Sequence, residues 1–197
     1  AEIDRGLGRC HPDGLKAAQI VPDLDGRRFV VTPRFHAVRQ GLTLRVRAAA
    51  GGKTVGETSG PAADGAPLGV ALAEARPWSP AVPFPYDLEL AVLDGSRVID
   101  LVRSYAGLRK VHVEGNRILL NNEAIYLRLV LDQGFYPDGI WTAPSDEALK
   151  RDIELSMAAG FNGARLHQKV FEPRFHYWAD RLGYLTWGEF PNWGVDY

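Results

Sequence analysis

The chain has 197 residues, of which 46% are apolar and 24% charged, with a formal net charge of −1. That fits one or two globular domains with enough apolar side chains for a real core, and it holds no basic excess pointing to nucleic acid or an anionic membrane surface. No apolar run approaches the ~20 residues of a membrane span. Cys10 is the single cysteine, so neither an intrachain disulfide nor a cysteine-rich zinc site can form; it is read as an incidental thiol.

Before Tyr105, short apolar segments alternate with Gly, Pro and Asp. Residues 29–32 follow the turn Asp25-Gly26. Residues 42–47 and 86–92 alternate apolar and polar with period two, as half-buried strands do. The second of these stops at the turn Asp94-Gly95, and residues 98–102 form a further short strand. Residues 60–67 are Gly, Ala and Pro with one Asp, and read as a loop. Short turn-bounded strands without a helical period predict an antiparallel sandwich over residues 1–105.

After Tyr105 the pattern changes. Residues 108–114 and 117–121 predict a hairpin about Gly115-Asn116. Residues 125–131 form a nearly continuous apolar run, expected to be a strand buried on both faces. A helix is predicted next. Ser145 is its N-cap, Asp146 and Glu147 sit where the helix dipole favours anions, and Leu149, Ile153 and Met157 share one face. Gly160 ends it. Residues 163–166 are a strand. Pro173 opens a second helix, with Phe175, Trp178 and Leu182 as its apolar stripe and Gly183 as its stop. Residues 184–187 are a third strand. The order β-α-β-α-β predicts parallel strands with helical crossovers.

Five collinear motifs carry a resemblance. They are Trp78-Ser79-Pro80 followed by Tyr86-Asp87-Leu88, Tyr105-Ala106-Gly107-Leu108-Arg109-Lys110-Val111, the run from Arg117 through Leu119-Leu120-Asn121 to Leu127-Arg128, Gly160-Phe161-Asn162-Gly163-Ala164-Arg165, and Ala179-Asp180-Arg181-Leu182-Gly183-Tyr184-Leu185. Together these resemble glycoside hydrolase family 2, which includes β-galactosidases, β-glucuronidases and β-mannosidases. The resemblance implies an immunoglobulin-like β-sandwich over 1–105. Residues 106–197 would then be the start of a (β/α)8 TIM barrel, with its first three strands and two helices. Three departures stand out. Leu129 follows the strand-one Arg where the family has Gly, Gly188 precedes Glu189 where it has Asp, and Gln168 occupies its usual histidine position.

Retaining glycoside hydrolysis needs two carboxyl groups ~5–5.5 Å apart, one nucleophile and one acid/base. By the resemblance these are Glu residues after barrel strands four and seven. Only roughly 90 residues follow Tyr105 here, against the ~250 of a complete barrel. By length alone the second half is either a small α/β unit packed on the sandwich or a piece of something longer; the resemblance implies part of a longer β-galactosidase-like enzyme, with no catalytic carboxylate of its own, no cofactor and no metal. The dipeptide Asn122-Glu123 is read as a turn before strand one. Barrel sites lie at the C-terminal ends of strands, so the pocket candidates are Asp132, Gln133, Arg165, His167, Gln168, Glu189 and Trp193. The resemblance gives Arg165 the part of holding the nucleophile carboxylate and Glu189 that of orienting its neighbours. Trp141, Trp187 and Trp193 can stack on a sugar or pack internally. His11, His36 and His112 have no metal-ligand spacing. The expected partners are a β-linked carbohydrate and the rest of the parent chain, with a homo-oligomer open, and neither nucleic acid nor membrane. Residues 1–4 lack a leader pattern, which says little about export; the compartment is left unknown, with the cytoplasm favoured and an extracellular place open. The alternative is a non-catalytic carbohydrate-binding or interaction module. The motif run into the strand ends speaks against it, and the coding sequence after Tyr197 would separate the two.

Overall fold

A computed structural model describes residues 12–192. The strands are β1 Leu15–Asp23, β2 Arg28–Phe35, β3 Leu42–Ala50, β4 Lys53–Pro61, β5 Leu68–Ala71, β6 Pro85–Asp94, β7 Arg97–Gly107, β8 Val111–Glu114, β9 Arg117–Leu120, β10 Glu123–Ala124 and β11 Leu129–Asp132. Helix α1 Asp146–Ala158, β12 Gly163–Leu166, α2 Pro173–Leu182 and β13 Leu185–Gly188 follow. The described residues fall into two compact units. One runs to Trp78 and takes in Phe84–His112 and Leu119–Asn122; the other holds Ser79–Pro83, Val113–Ile118 and the chain from Glu123 onward.

The first unit is built on two antiparallel sheets, of order β1-β2-β5 and β4-β3-β6-β7. Period-two patterning sets which side chains meet. Leu42, Leu44, Val46 and Ala48 of β3 are buried while the residues between them are only partly covered. They share one core with Phe29 and Val31 of β2, Val70 of β5 and Leu88, Leu90 and Val92 of β6. Each such side chain contributes roughly 1.5–3 kcal/mol when fully buried. Tyr86 is completely buried. Its hydroxyl accepts from the Arg76 amide at 2.6 Å and donates to the Glu74 carbonyl at 3.1 Å, so the polar tip is satisfied. The segment read as a loop over 60–67 begins later, because residues 60–61 still pair with β3. Strand β5, too short and Gly-interrupted to show a period, pairs with β2.

The second unit carries a parallel sheet of order β11-β12-β13, joined through α1 and α2. Helix α1 starts as expected: the Ser145 hydroxyl accepts from the Ala148 amide at 3.2 Å, with Asp146 and Glu147 in the first turn. Pro173 opens α2, and Gly183 ends it in the left-handed region at φ +80. Leu149, Ile153, Phe175 and Ala179 from the helices pack on Ala164 and Leu166 of β12. Met157, expected on that buried face, is 37% exposed at the end of α1.

One strand is shorter than its sequence suggests. The apolar run 125–131 becomes ladder only from Leu129. Ahead of it the Asn162 side chain takes the place of a strand: its Oδ1 accepts from the Arg128 amide at 2.7 Å and its Nδ2 donates to the Tyr126 carbonyl at 2.9 Å. Burial on both faces is also corrected, since Leu131 is 53% and Tyr126 79% exposed. Val130 packs with the helices, and the opposite face of the sheet has no layer upon it among the described residues.

Candidate functional site

The register of the parallel sheet decides what can meet. Leu131, Arg165 and Trp187 are aligned across β11, β12 and β13. Ala164 and Leu166, which flank Arg165, are buried toward the helices, so alternation sends Arg165 to the other face. There Leu129, Leu131, Arg165, Trp187 and Glu189 line an open cleft of about 460 Å³.

Arg165 Nε donates to Glu189 Oε1 at 2.5 Å, and the Gln168 amide donates to Glu189 Oε2 at 3.3 Å. Gln168 adopts φ +52, an uncommon left-handed backbone for a non-glycine residue. The hydrogen bond from Arg165 is the main cause that holds the Glu189 carboxyl below its usual range. Glu189 is thus an ionised acceptor fixed at both oxygens. The Gln168 side chain donates to the Asn192 carbonyl at 3.2 Å, tying the segment after β13 to the segment after β12.

A second group lies beside this pair. Gln133 Nε2 and His167 Nδ1 are 2.9 Å apart, and the His167 amide donates to the Asp132 carbonyl at 2.8 Å. The Asp132 side chain does not join Arg165. It lies one residue out of phase with Leu131 and accepts from the Gly134 amide at 2.8 Å. Burial pushes its carboxyl above the usual range, with Asp152 and Glu172 adding to the effect and Lys169 opposing it. Its role in this geometry is to order the turn after β11. Trp193 lies outside the described residues, as do Cys10 and His11.

Two features escape sequence reasoning, and a third is placed only by the fold. Lys169 donates to the Gly134 and Trp141 carbonyls at 3.2 and 2.8 Å, pinning the loop after β11 at two points. Tyr136 donates to Asp152 Oδ2 at 2.6 Å, linking that loop to α1. Trp187 joins the cleft through sheet register. Trp187 was named from the sequence as a residue that can stack on a sugar, and the register sets it in this cleft.

The comparisons follow the same outline. No family model matches the chain. A β-galactosidase from Psychromonas ingrahamii is 28% identical over 166 residues, covering 80% of this chain and 16% of the relative. One from Lactococcus lactis is 28% identical over 113 residues, 57% of this chain and 11% of the relative. Among solved structures, a Ruminococcus gnavus β-glucuronidase in complex with a C6-substituted uronic isofagomine is 26% identical, with TM-score 0.75, over 90% of this chain and 30% of that one. The same share of this chain matches a family 2 member from Bacteroides cellulosilyticus with TM-score 0.78 at 22% identity, a likeness of fold, over 26% of that chain. The chain therefore spans under a third of the length of each of these relatives.

Proposed function

From the premise that this chain is a glycoside hydrolase family 2-like segment, we propose that it is an immunoglobulin-like sandwich, over 1–105, leading into the first three strands and two helices of a (β/α)8 barrel over 106–197. Its parent is a retaining β-glycosidase of the β-galactosidase and β-glucuronidase kind. The observation that supports this best is the Arg165–Glu189 pair, carried by consecutive parallel strands and facing one cleft with Trp187.

The chemistry follows from what these groups can do. A guanidinium has five N–H donors in a planar fork. Glu189 occupies the one on Nε, so the others can take a second carboxylate. A nucleophile carboxylate held there stays ionised, because an adjacent cation favours the charged form. Glu189 limits the rotation of the guanidinium and so sets the direction in which it presents its remaining donors. Gln133, His167 and Gln168 supply hydroxyl-binding groups at the same strand ends. In this reading the nucleophile and acid/base Glu residues lie outside these 197 residues, and the chain by itself turns over no glycoside.

The test is hydrolysis of aryl β-galactoside and β-glucuronide by the 197-residue chain and by its longer parent. The parent is expected to be active and to lose at least about 100-fold in kcat/KM with Arg165→Ala, the scale set by losing one positioned electrostatic contact. Turnover by the 197-residue chain, or a parent indifferent to Arg165→Ala, refutes the reading.

A further inference from the structure

We propose that Phe135 and Trp141 form a second saccharide-binding surface, a pair of rings held out by the loop after β11 for a pyranose ring adjoining the one bound at Arg165. Its place as part of a glycosidase rests on the function proposed above. The two rings are 57% and 56% exposed. Their centroids are 5.9 Å apart and their planes tilted by 32°. Exposure of single aromatics is ordinary. What sets this pair apart is the scaffold beneath it.

The loop backbone is fixed at several points. Tyr136 and Ile140 exchange both amide–carbonyl hydrogen bonds, at 2.8 and 3.0 Å, and the Thr142 amide donates to the Gly139 carbonyl at 3.0 Å. Lys169, with its side chain only 12% exposed, donates to the carbonyls of Gly134 and Trp141. These residues directly precede Phe135 and carry the second ring. Gly134 makes room for that lysine: a Cβ there would stand 2.7 Å from Lys169 Nζ, at a backbone φ of +63. Lys169 also pairs with Glu172 at 3.6 Å and lies over the Phe171 ring, so it ties the backbone under the two solvent-facing rings to the segment that leads into α2. Such preorganisation lowers the entropy cost of binding.

The occupant follows from size and surroundings. Two side chains are far short of the ~800 Å² per partner of a stable protein interface. The neighbouring groups are polar. Gln133 precedes the loop's Gly134 and contacts His167, which lies two residues beyond Arg165. An apolar ring face beside hydrogen-bonding side chains matches a pyranose, which offers C–H groups on one face and hydroxyls at its edge. The negative face of an aromatic ring attracts the C–H side.

Saturation-transfer difference NMR on the 197-residue chain, with lactose, cellobiose and methyl β-D-glucopyranoside as probes, tests this. Ring protons of a pyranose are expected to saturate. Trp141→Ala and Phe135→Ala should each raise Kd roughly tenfold, the scale of one aromatic contact. Lys169→Met should do the same with both rings in place. Amide spectra that overlay the parent's confirm that each variant is folded. Absence of saturation from every probe, or an unchanged signal in both ring variants, overturns the proposal. If the ring variants lose binding while the longer parent hydrolyses nothing, the saccharide surface stands and the glycosidase reading falls. If the parent is active and its KM is unmoved by Trp141→Ala, the surface alone falls.

Discussion

Gly163→Ala should loosen the parallel sheet from its centre. Gly163 is aligned with Leu129 on one side and Leu185 on the other. A Cβ at this position would stand 2.3 Å from the Leu185 carbonyl oxygen, 2.7 Å from Leu185 Cβ and 2.7 Å from Leu129 Cδ2. The leucine tip can rotate away, but the backbone carbonyl cannot. To restore van der Waals distance β13 must retreat by about 1 Å, which strains the Leu185 amide to Asn162 carbonyl hydrogen bond of 2.9 Å. Overpacking of this kind costs about 1–3 kcal/mol, and a weakened hydrogen bond adds about 1. The sum of about 2–4 kcal/mol lowers the melting midpoint of this unit by roughly 10–30 °C. Arg165 lies two residues on, so its contact with Glu189 should loosen as well. Calorimetry gives the midpoint, and hydrogen exchange at residues 164–166 and 185–188 gives the location. Gly188→Ala is the control, because a Cβ there meets nothing within 4 Å. If the two variants melt alike, steric contact is not the reason for glycine at 163.

Tyr86→Phe should cost about 1–3 kcal/mol in denaturant unfolding, since it strands the Arg76 amide and the Glu74 carbonyl beside a buried ring. Phe175→Ala empties a core position that is 1% exposed and should cost about 3–5 kcal/mol, read from the denaturation midpoint. The Glu189 carboxyl titrates below the usual range, so its contribution to stability is complete above the ordinary value of 4.5 and is lost as pH falls through its lowered pKa. Arg165→Ala should raise that pKa, visible by carbon-detected NMR titration, and no rise would mean the ion pair is not formed in solution. Asp132 has the opposite sign. Its pKa is raised by burial, so the fold loses stability as pH rises from the ordinary value of 3.8 through the raised one. Asp132→Asn should abolish that part of the pH dependence in melts taken across the window.

Local chemistry is what the sequence by itself determined. Period-two runs place β3 and β6, because alternation is set by the geometry of a single strand and needs no partner. Ser145, Pro173 and Gly183 mark helix ends by their own backbone and hydrogen-bonding preferences. The β-α-β-α-β order suffices for parallel pairing of β11, β12 and β13, since a crossover returns the chain in the same direction. Arg165 and Glu189 could be nominated because residues after successive parallel strands emerge at one end of a sheet. Tertiary structure decided the rest. Whether residues 125–128 join the ladder depends on Asn162, a side chain 34 residues away that bonds the Arg128 amide. Asp132 and Arg165 both belong to strand ends, yet sheet register and burial direct one to the turn and the other to the cleft. Lys169 was invisible as a clamp because its two acceptors are main-chain carbonyls 35 and 28 residues distant. Every residue has such a carbonyl, so only the folded chain selects which two are within reach.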